Sequence, residues 1–392
     1  MQNNPPATNP PDLTDPTSPA VTPGVARLPV LKALTSVRFF AALHVALYHL
    51  VRPFTRWGIF AGAIGIGYTG VSFFFFLSGF ILTYAHATEY EKGRSNFPKF
   101  WMARFARVYP VYFVSMFMAA YVNFADFHQK IHIFAFLADL LLLQAWSMRM
   151  VNFFNSGAWT LSCEAFFYLS FPFVLMALRP RTLARAIAWI VGFFLLAIAA
   201  PVFCMIHFPA ASFTETFSDV PGTDFVFLVS RLPIFAIPEF LAGISVGWLF
   251  LRFRPSPRIG SILATVGAIL MATALMLGDH LPFIALHNGL LIPVYTLLLI
   301  GLSTPNWMSR LLSGPTLVLL GEASFALYLI HIIINSYSRR FGYQPDLPSA
   351  ALSLAVIIPI AILMHIYIER PCRRRILAWW ASRHPSELRV AR

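Results

Sequence analysis

The sequence predicts an all-α protein, a polytopic transmembrane helical bundle of about ten spans. Three observations carry this reading. Only 11% of the 392 residues are charged, less than half the roughly 25% usual in soluble domains. Hydrophobic residues make up 58% of the chain, and its mean hydropathy is +0.69. The apolar residues also gather into continuous stretches of the roughly 20 residues that a helix needs to cross a bilayer. Eleven such stretches lie near 32–51, 65–86, 108–123, 132–147, 159–178, 187–207, 232–252, 259–277, 283–302, 316–337 and 349–369. A membrane β-barrel would show short alternating segments instead.

Residues 1–28 carry seven prolines within the first 23 and read as a disordered cytoplasmic tail, too polar to pack. They lack the basic start and apolar centre of a signal peptide. Residues 29–375 read as one transmembrane domain without internal repeats, and 376–392 as a basic cytoplasmic tail. The net charge of +13 would suggest nucleic acid in a soluble protein. Here most Arg and Lys sit in short loops and after the last span, where they set orientation and meet lipid headgroups. Membrane lipids, and no nucleic acid, are the partners this predicts. Cys163, Cys204 and Cys372 are too few and too scattered for a disulfide framework or a zinc site, so no metal is expected.

Loop charge gives the sidedness. Arg370, Arg373, Arg374 and Arg375 place the end of the last span in the cytoplasm. Walking backwards, "SRRFGYQPD" falls outside, the loop with Arg310 inside, "GDHLP" outside, "RFRPSPR" inside, "SFTETFSDVPGTD" outside and "RPRTLAR" inside. From the front, Lys92, Arg94, Lys99, Arg104 and Arg107 belong inside, and so does the N-terminus. The two walks agree only if residues 108–178 cross twice. One of the stretches near 108–123, 132–147 and 159–178 is then an incomplete span. The arginines of "SRRFGYQPD" are the exception to this scheme.

Ionisable residues inside spans are costly and face bundle interiors or cavities. In "TSVRFFAALHVALYHL", Arg38 and His49 lie eleven positions apart, almost three helical turns. They share a face about 16 Å apart along the axis, while His44 points elsewhere. Such a pair can hold an anion and supply a base in a buried channel. Alternatively, Arg38 snorkels to the interface and His49 bonds a backbone carbonyl. "FPKFWMARFARVYP" puts Arg104 and Arg107 on one face, as a phosphate-binding fork or a positive-inside anchor. "SGAWTLSCEAFFYLSFP" holds one carboxylate, Glu164, with Tyr168 a turn on. Glu164 is either a structural ion pair or part of the chemistry, and Trp159 suits an interfacial belt. "GEASFALYLIH" sets Ser324, Tyr328 and His331 along one stripe, where Ser and Tyr glue helices together. "RLPIFAIPEFLAGISVG" places Arg231 and Glu239 near an entrance, with Gly243 and Gly247 spaced for close packing. Ser78 and Gly79 in "FFFFLSGF" also suggest tight helix contact. Glu369 in "IYIERP" reads most simply as an interfacial ion pair. From the residues alone this is a polar channel through a helical bundle, in an enzyme or a transporter.

Read in order, "RFFAALHVALYH", "GVSFFFFLSGFILT", "KFWMARFARVYPVY", "WTLSCEAFFYLSFP", "PEFLAGISVG", "GEASFALYLIH" and "IERP" resemble the motifs of the membrane-bound acyltransferase-3 family. This group includes bacterial O-antigen and exopolysaccharide O-acetyltransferases. The resemblance covers residues 31 to about 375. It implies a ten-span core in the bacterial inner membrane and transfer of an acyl group, usually acetyl, from cytoplasmic acyl-CoA. The acceptor it implies is a hydroxyl of a cell-surface polysaccharide or its lipid-linked precursor. Acetyl-CoA is then a donor substrate and no cofactor is tightly bound.

Carried over, Arg38, His49 and Glu164 are catalytic, and Arg104 and Arg107 hold the CoA phosphates. Trp159, Ser162, Tyr168, Arg231, Ser324, Tyr328, His331 and Glu369 belong to the channel or substrate path. His49 acts as general base or briefly carries the acyl group. Thr160 replaces the family's commoner Ser, and Ala103 and Ala106 stand where many members have further Arg. Some members carry an appended esterase-like domain. This chain reads without one, so it acts alone or with polysaccharide-assembly partners. Succinyl or longer-chain transfer to a glycolipid, glucan or small molecule is the alternative. A secondary transporter would show paired repeats with broken helices, and a scaffold would not need so many intramembrane charges.

Overall fold

A computed structural model describes residues 29–51, 60–93, 96–122, 130–214, 219–340, 342 and 347–384. The proline-rich segment 1–28 and the last residues of the basic tail lie outside this set. Sixteen α-helices carry the described chain. In order they are α1 (Lys32–Leu50), α2 (Ala61–Gly65), α3 (Thr69–Glu91), α4 (Phe97–Val122), α5 (Lys130–Leu140), α6 (Trp159–Ala177), α7 (Leu183–His207) and α8 (Thr223–Arg231). Then come α9 (Pro233–Arg252), α10 (Pro257–Met276), α11 (Phe283–His287), α12 (Ile292–Leu302), α13 (Trp307–Leu311), α14 (Pro315–Arg340), α15 (Leu347–Met364) and α16 (Arg370–Arg383). Helices suit burial in lipid because each closes its own backbone hydrogen bonds.

Among the described residues, nine helical segments are long and apolar enough to cross a membrane. α4 is a further helix of 26 residues, with two arginines in its first half. The incomplete span expected within 108–178 is therefore the middle one. α5 has 11 residues and reaches about 16 Å, far short of a bilayer core of about 30 Å. Leu142, with φ of 57°, turns the chain after it. The irregular segment that follows is anchored inside the protein: Gln144 Nε2 donates to Ala158 O at 2.9 Å and Asn155 Nδ2 to Leu329 O at 2.9 Å. Non-helical backbone at this depth is tolerated only when so buried.

The stretch near 283–302 departs from the unbroken span expected for it. It is two helices, α11 and α12, separated at Asn288–Leu291 with Gly289 at φ of 91°. The sequence shows the reason in its Asn-Gly pair, a strong turn former. The last span continues through a π-helical turn at His365–Glu369 into α16.

α3 forms the centre: 72% of its apolar window is buried, against 17% for α7 and 22% for α10. The last two present isoleucine, leucine and valine outward and form the lipid-facing rim. α3 crosses α9 at Gly79 and Gly243. A Cβ on Gly79 would collide with the Phe240 carbonyl, and one on Gly243 with the Phe76 carbonyl, so the two backbones touch as expected of small residues at a membrane crossing. Phe167 of α6 stacks on Phe240 of α9, with centroids 4.8 Å apart. α14 packs along α1 on the other side. All three cysteines are free.

Several span ends meet on one face. Glu91 at the end of α3 pairs with Arg179 after α6 (2.9 Å) and Arg252 at the end of α9 (2.8 Å). Tyr84 donates to Pro29 O at 2.9 Å, which brings the start of α1 to the same face. These are the segments that the loop charges place together.

Candidate active site

Two polar poles lie toward opposite ends of α1, and a cavity between them is lined by Arg38 of the first and by Tyr328, which neighbours the second. The first, near the basic face, collects Arg38 from α1, Arg104 and Arg107 from α4, Glu164 and Tyr168 from α6, Glu322 from α14, and His365 and Glu369 from the π turn. Arg38 faces inward: it lines a cavity with Glu164 instead of snorkelling to lipid. Tyr168 Oη donates to Glu164 Oε2 at 2.8 Å, and Trp101 Nε1 to the Tyr168 carbonyl at 3.0 Å.

Glu369 is not at an interface, as its position beside a run of arginines suggested. Its surface is 0% exposed; one oxygen pairs with Arg107 and the other lies 3.0 Å from His365 Nδ1. His365 Nε2 lies 3.3 Å from Glu322 Oε2, which also accepts from Arg370 at 2.6 Å. Two arginines and two carboxylates thus alternate around one imidazole. The π turn sets His365 and Glu369 side by side, in keeping with the frequent appearance of π bulges at functional sites. Arg104 reaches over the Phe100 ring at 5.8 Å, and its Nε is buried with no hydrogen-bond partner among the described residues. The fork read from the sequence thus divides: Arg107 is held by Glu369, whereas Arg104 keeps unused donor capacity.

The second pole is built on His49 and His331. His331 Nδ1 lies 2.5 Å from the Tyr328 carbonyl, and His331 Nε2 lies 3.2 Å from His49 Nδ1. His49 Nδ1 is also 2.9 Å from Val45 O. Carbonyls only accept, so the proton of His331 is on Nδ1 and its Nε2 is an acceptor. Both neighbours of His49 Nδ1 then accept, which fixes that proton on Nδ1 and leaves Nε2 as the basic nitrogen. Asn335 Nδ2 donates to the His49 carbonyl at 3.1 Å. His44, as expected, points elsewhere, 2.6 Å from Ala63 O.

Around this pair sits a ring of aromatic and basic groups. Tyr328 Oη donates to Gly157 O at 3.0 Å and accepts from Thr160 Oγ1 at 3.1 Å. Arg231 stands 4.7 Å over the Trp159 ring, and Trp159 stacks on His287 with centroids 5.7 Å apart. Trp159 is 1% exposed, so it is no belt residue. Arg231 lies at the histidine pole, and Glu239 is buried beside Ser72, whose hydroxyl donates to it at 2.6 Å. Ser324 lines the cavity while donating to Gly321 O at 2.7 Å. Ser162 is buried away from the cavity, its Oγ without a partner among the described residues.

The structure therefore brings together Arg38, Glu164, Tyr168, Arg104, Arg107 and Glu369 at one pole. It brings His49, His331, Tyr328, Trp159 and Arg231 together at the other. Sequence reasoning missed His287, His365 and Glu322. His287 immediately precedes the Asn-Gly pair and His365 stands one turn before Glu369, so these two had a local signal.

A family model described as an acyltransferase domain, acyltransferase-3, matches residues 31–366. This chain belongs to the acyltransferase-3 family. It is 30% identical over 376 residues to the acyltransferase MdmB of Streptomyces mycarofaciens, an alignment covering 90% of this chain and 93% of that relative. It is 23% identical over 388 residues to the putative O-acetyltransferase SACOL0978 of Staphylococcus aureus strain COL, and 24% identical over 373 residues to the O-acetyltransferase OatA of Staphylococcus aureus strain NCTC 8325 / PS 47. Those alignments cover 92% and 88% of this chain but 61% and 57% of the relatives, so the chain spans about three fifths of their length. No solved structure matches it. The protein is a multi-pass membrane acyltransferase of this family.

Proposed function

We propose that this acyltransferase moves an acetyl group from cytoplasmic acetyl-CoA to a hydroxyl of a cell-surface polysaccharide or its lipid-linked precursor. It works in a bacterial inner membrane, with both termini in the cytoplasm. The observation that carries this reading is the track from Arg38 to the His49–His331 pair, with a cationic pole for a phosphorylated donor at one end and an oriented imidazole at the other. Arg104 and Arg107 hold donor phosphates, and Glu369 fixes the position of Arg107. Arg38 steadies the arm of the donor beside Glu164, and the thioester lies farther along the track, toward His49. His49 Nε2 takes the proton of the acceptor hydroxyl as its oxygen bonds to the thioester carbonyl carbon. The carbon–sulfur bond breaks, an ester forms, and the departing CoA thiolate takes up the proton. With His49 Nδ1 held by the Val45 carbonyl and His331, its Nε2 lone pair is free to act as the general base.

Inverted membrane vesicles supplied with acetyl-labelled acetyl-CoA and a native membrane extract test this. Wild type is expected to release CoA and place base-labile label in the lipid-linked sugar and polysaccharide fraction. His49→Ala is expected to lose at least about a hundredfold in rate while remaining folded in the membrane. Full activity in His49→Ala overturns the assignment, and no CoA release from wild type overturns the donor.

A further inference from the structure

The cavity between the poles is narrow, partly open and walled by packed rings. It holds about 40 Å³ and is lined by Val71, Phe74, Phe75, Leu161 and Phe325, with Arg38 and Glu164 at one end and Thr160 and Tyr328 at the other. A water-sized occupant needs roughly 10–15 Å³ of such volume. Its enclosed part therefore takes about three such units, room for an acetyl or propionyl group, and a succinyl or hexanoyl chain would have to extend beyond it.

The wall cannot yield cheaply. Phe74 is braced edge-on by Tyr328, centroids 6.0 Å apart. Phe75 is braced edge-on by both Trp159 at 6.0 Å and Phe167 at 5.2 Å. Phe167 in turn stacks on Phe240 at the α3–α9 crossing. A longer chain would have to displace rings that already interlock, and packed interiors resist added methylenes.

We propose that this cavity is the acyl-chain subsite, and that Phe74 and Phe75, with Leu161 as the softer wall, limit the donor to short acyl groups. The inference rests on the acyl-CoA reading above. The apolar wall accepts the methyl end of the acyl group. Phe74, Phe75 and Leu161 act on chain length and take no part in bond making.

The test compares acetyl-, propionyl-, butyryl- and hexanoyl-CoA as donors in membranes containing the full chain, reading CoA release as kcat/KM. Wild type is expected to favour acetyl over hexanoyl by at least about tenfold, the scale of discrimination by excess methylenes. Leu161→Ala is expected to raise the hexanoyl-to-acetyl ratio by about tenfold. Val71→Ala is the second variant, should the first fail to fold, and is expected to shift the ratio in the same direction. Equal use of hexanoyl and acetyl by wild type overturns the chain-length limit while leaving acyl transfer in place. Unchanged ratios in both folded variants do the same. Release from none of the donors overturns the acyl-CoA reading itself.

Discussion

At the scale of residues, the proposed mechanism divides one task between two histidines. His49 carries the basic nitrogen, and His331 accepts from its other nitrogen while donating to the Tyr328 carbonyl. His331 is therefore a positioning residue. His331→Ala is expected to lower kcat by less than loss of the base itself, which costs about a hundredfold or more, and to leave KM for the acyl donor unchanged. His331→Asn, able to hydrogen-bond in the same place, is expected to recover part of the loss. Steady-state kinetics on both variants checks this, and an effect confined to KM would refute it. Much of this site was legible in the chain. Helical spacing alone put Arg38 and His49 on one face, and the 4-then-3 spacing aligned Ser324, Tyr328 and His331. Spacing within a single helix says nothing about partners from other helices. It left His331 and His49 unpaired, and it placed Glu369 at an interface when α4 in fact buries it against Arg107.

At the scale of elements, close helix crossings rest on residues without a side chain. Gly243 meets the Phe76 carbonyl of α3 where a Cβ would collide with backbone. Gly243→Leu is expected to destabilise the bundle by about 1–3 kcal/mol or more, the cost of overpacking a filled site, and to lower the thermal midpoint in detergent. Gly192, on the lipid-facing α7, has nothing within 4 Å of where a Cβ would stand. Gly192→Ala is expected to be neutral or stabilising by up to about 1 kcal/mol, because alanine is the better helix former. Matching thermal midpoints for the two variants would remove the crossing from the account. Composition and length made the spans legible, and the glycine spacing at 243 and 247 signalled a close crossing without naming α3 as the partner. The ends of elements were harder to read. The 132–147 stretch is apolar enough to suggest a span, yet its helix stops at Leu140 and Leu142 adopts a left-handed turn. The turn signal at Asn288–Gly289 was present but sat inside a stretch whose hydropathy outweighed it.

At the scale of the molecule, the two poles give the bundle a direction, and the ion pairs show which ends of the spans lie together. Glu91 binds Arg179 and Arg252, Glu369 binds Arg107, and Glu322 binds Arg370. All of these stand on the face that also holds the start of α1. In the proposed orientation that face is the cytoplasmic one, because Lys and Arg near span ends resist translocation. Residues after α7 and between α14 and α15 then belong to the opposite face, where the His49 pole lies. This predicts a labelling pattern. In a variant with Cys163, Cys204 and Cys372 replaced, single cysteines at Lys92, Arg181 and Arg254 are expected to react with an impermeant maleimide only in inverted vesicles. A cysteine at Asp219 or Gly342 is expected to react only in intact cells. Labelling of the Lys92 and Asp219 positions from one side would break the ten-span arrangement, since an even number of crossings between them places them together. Reaction of every position from the face opposite to that expected would keep the arrangement and invert it. The donor pole would then face away from the cytoplasmic CoA pool, so this pattern, unlike any single substitution, tests the fold and the proposed direction of transfer together.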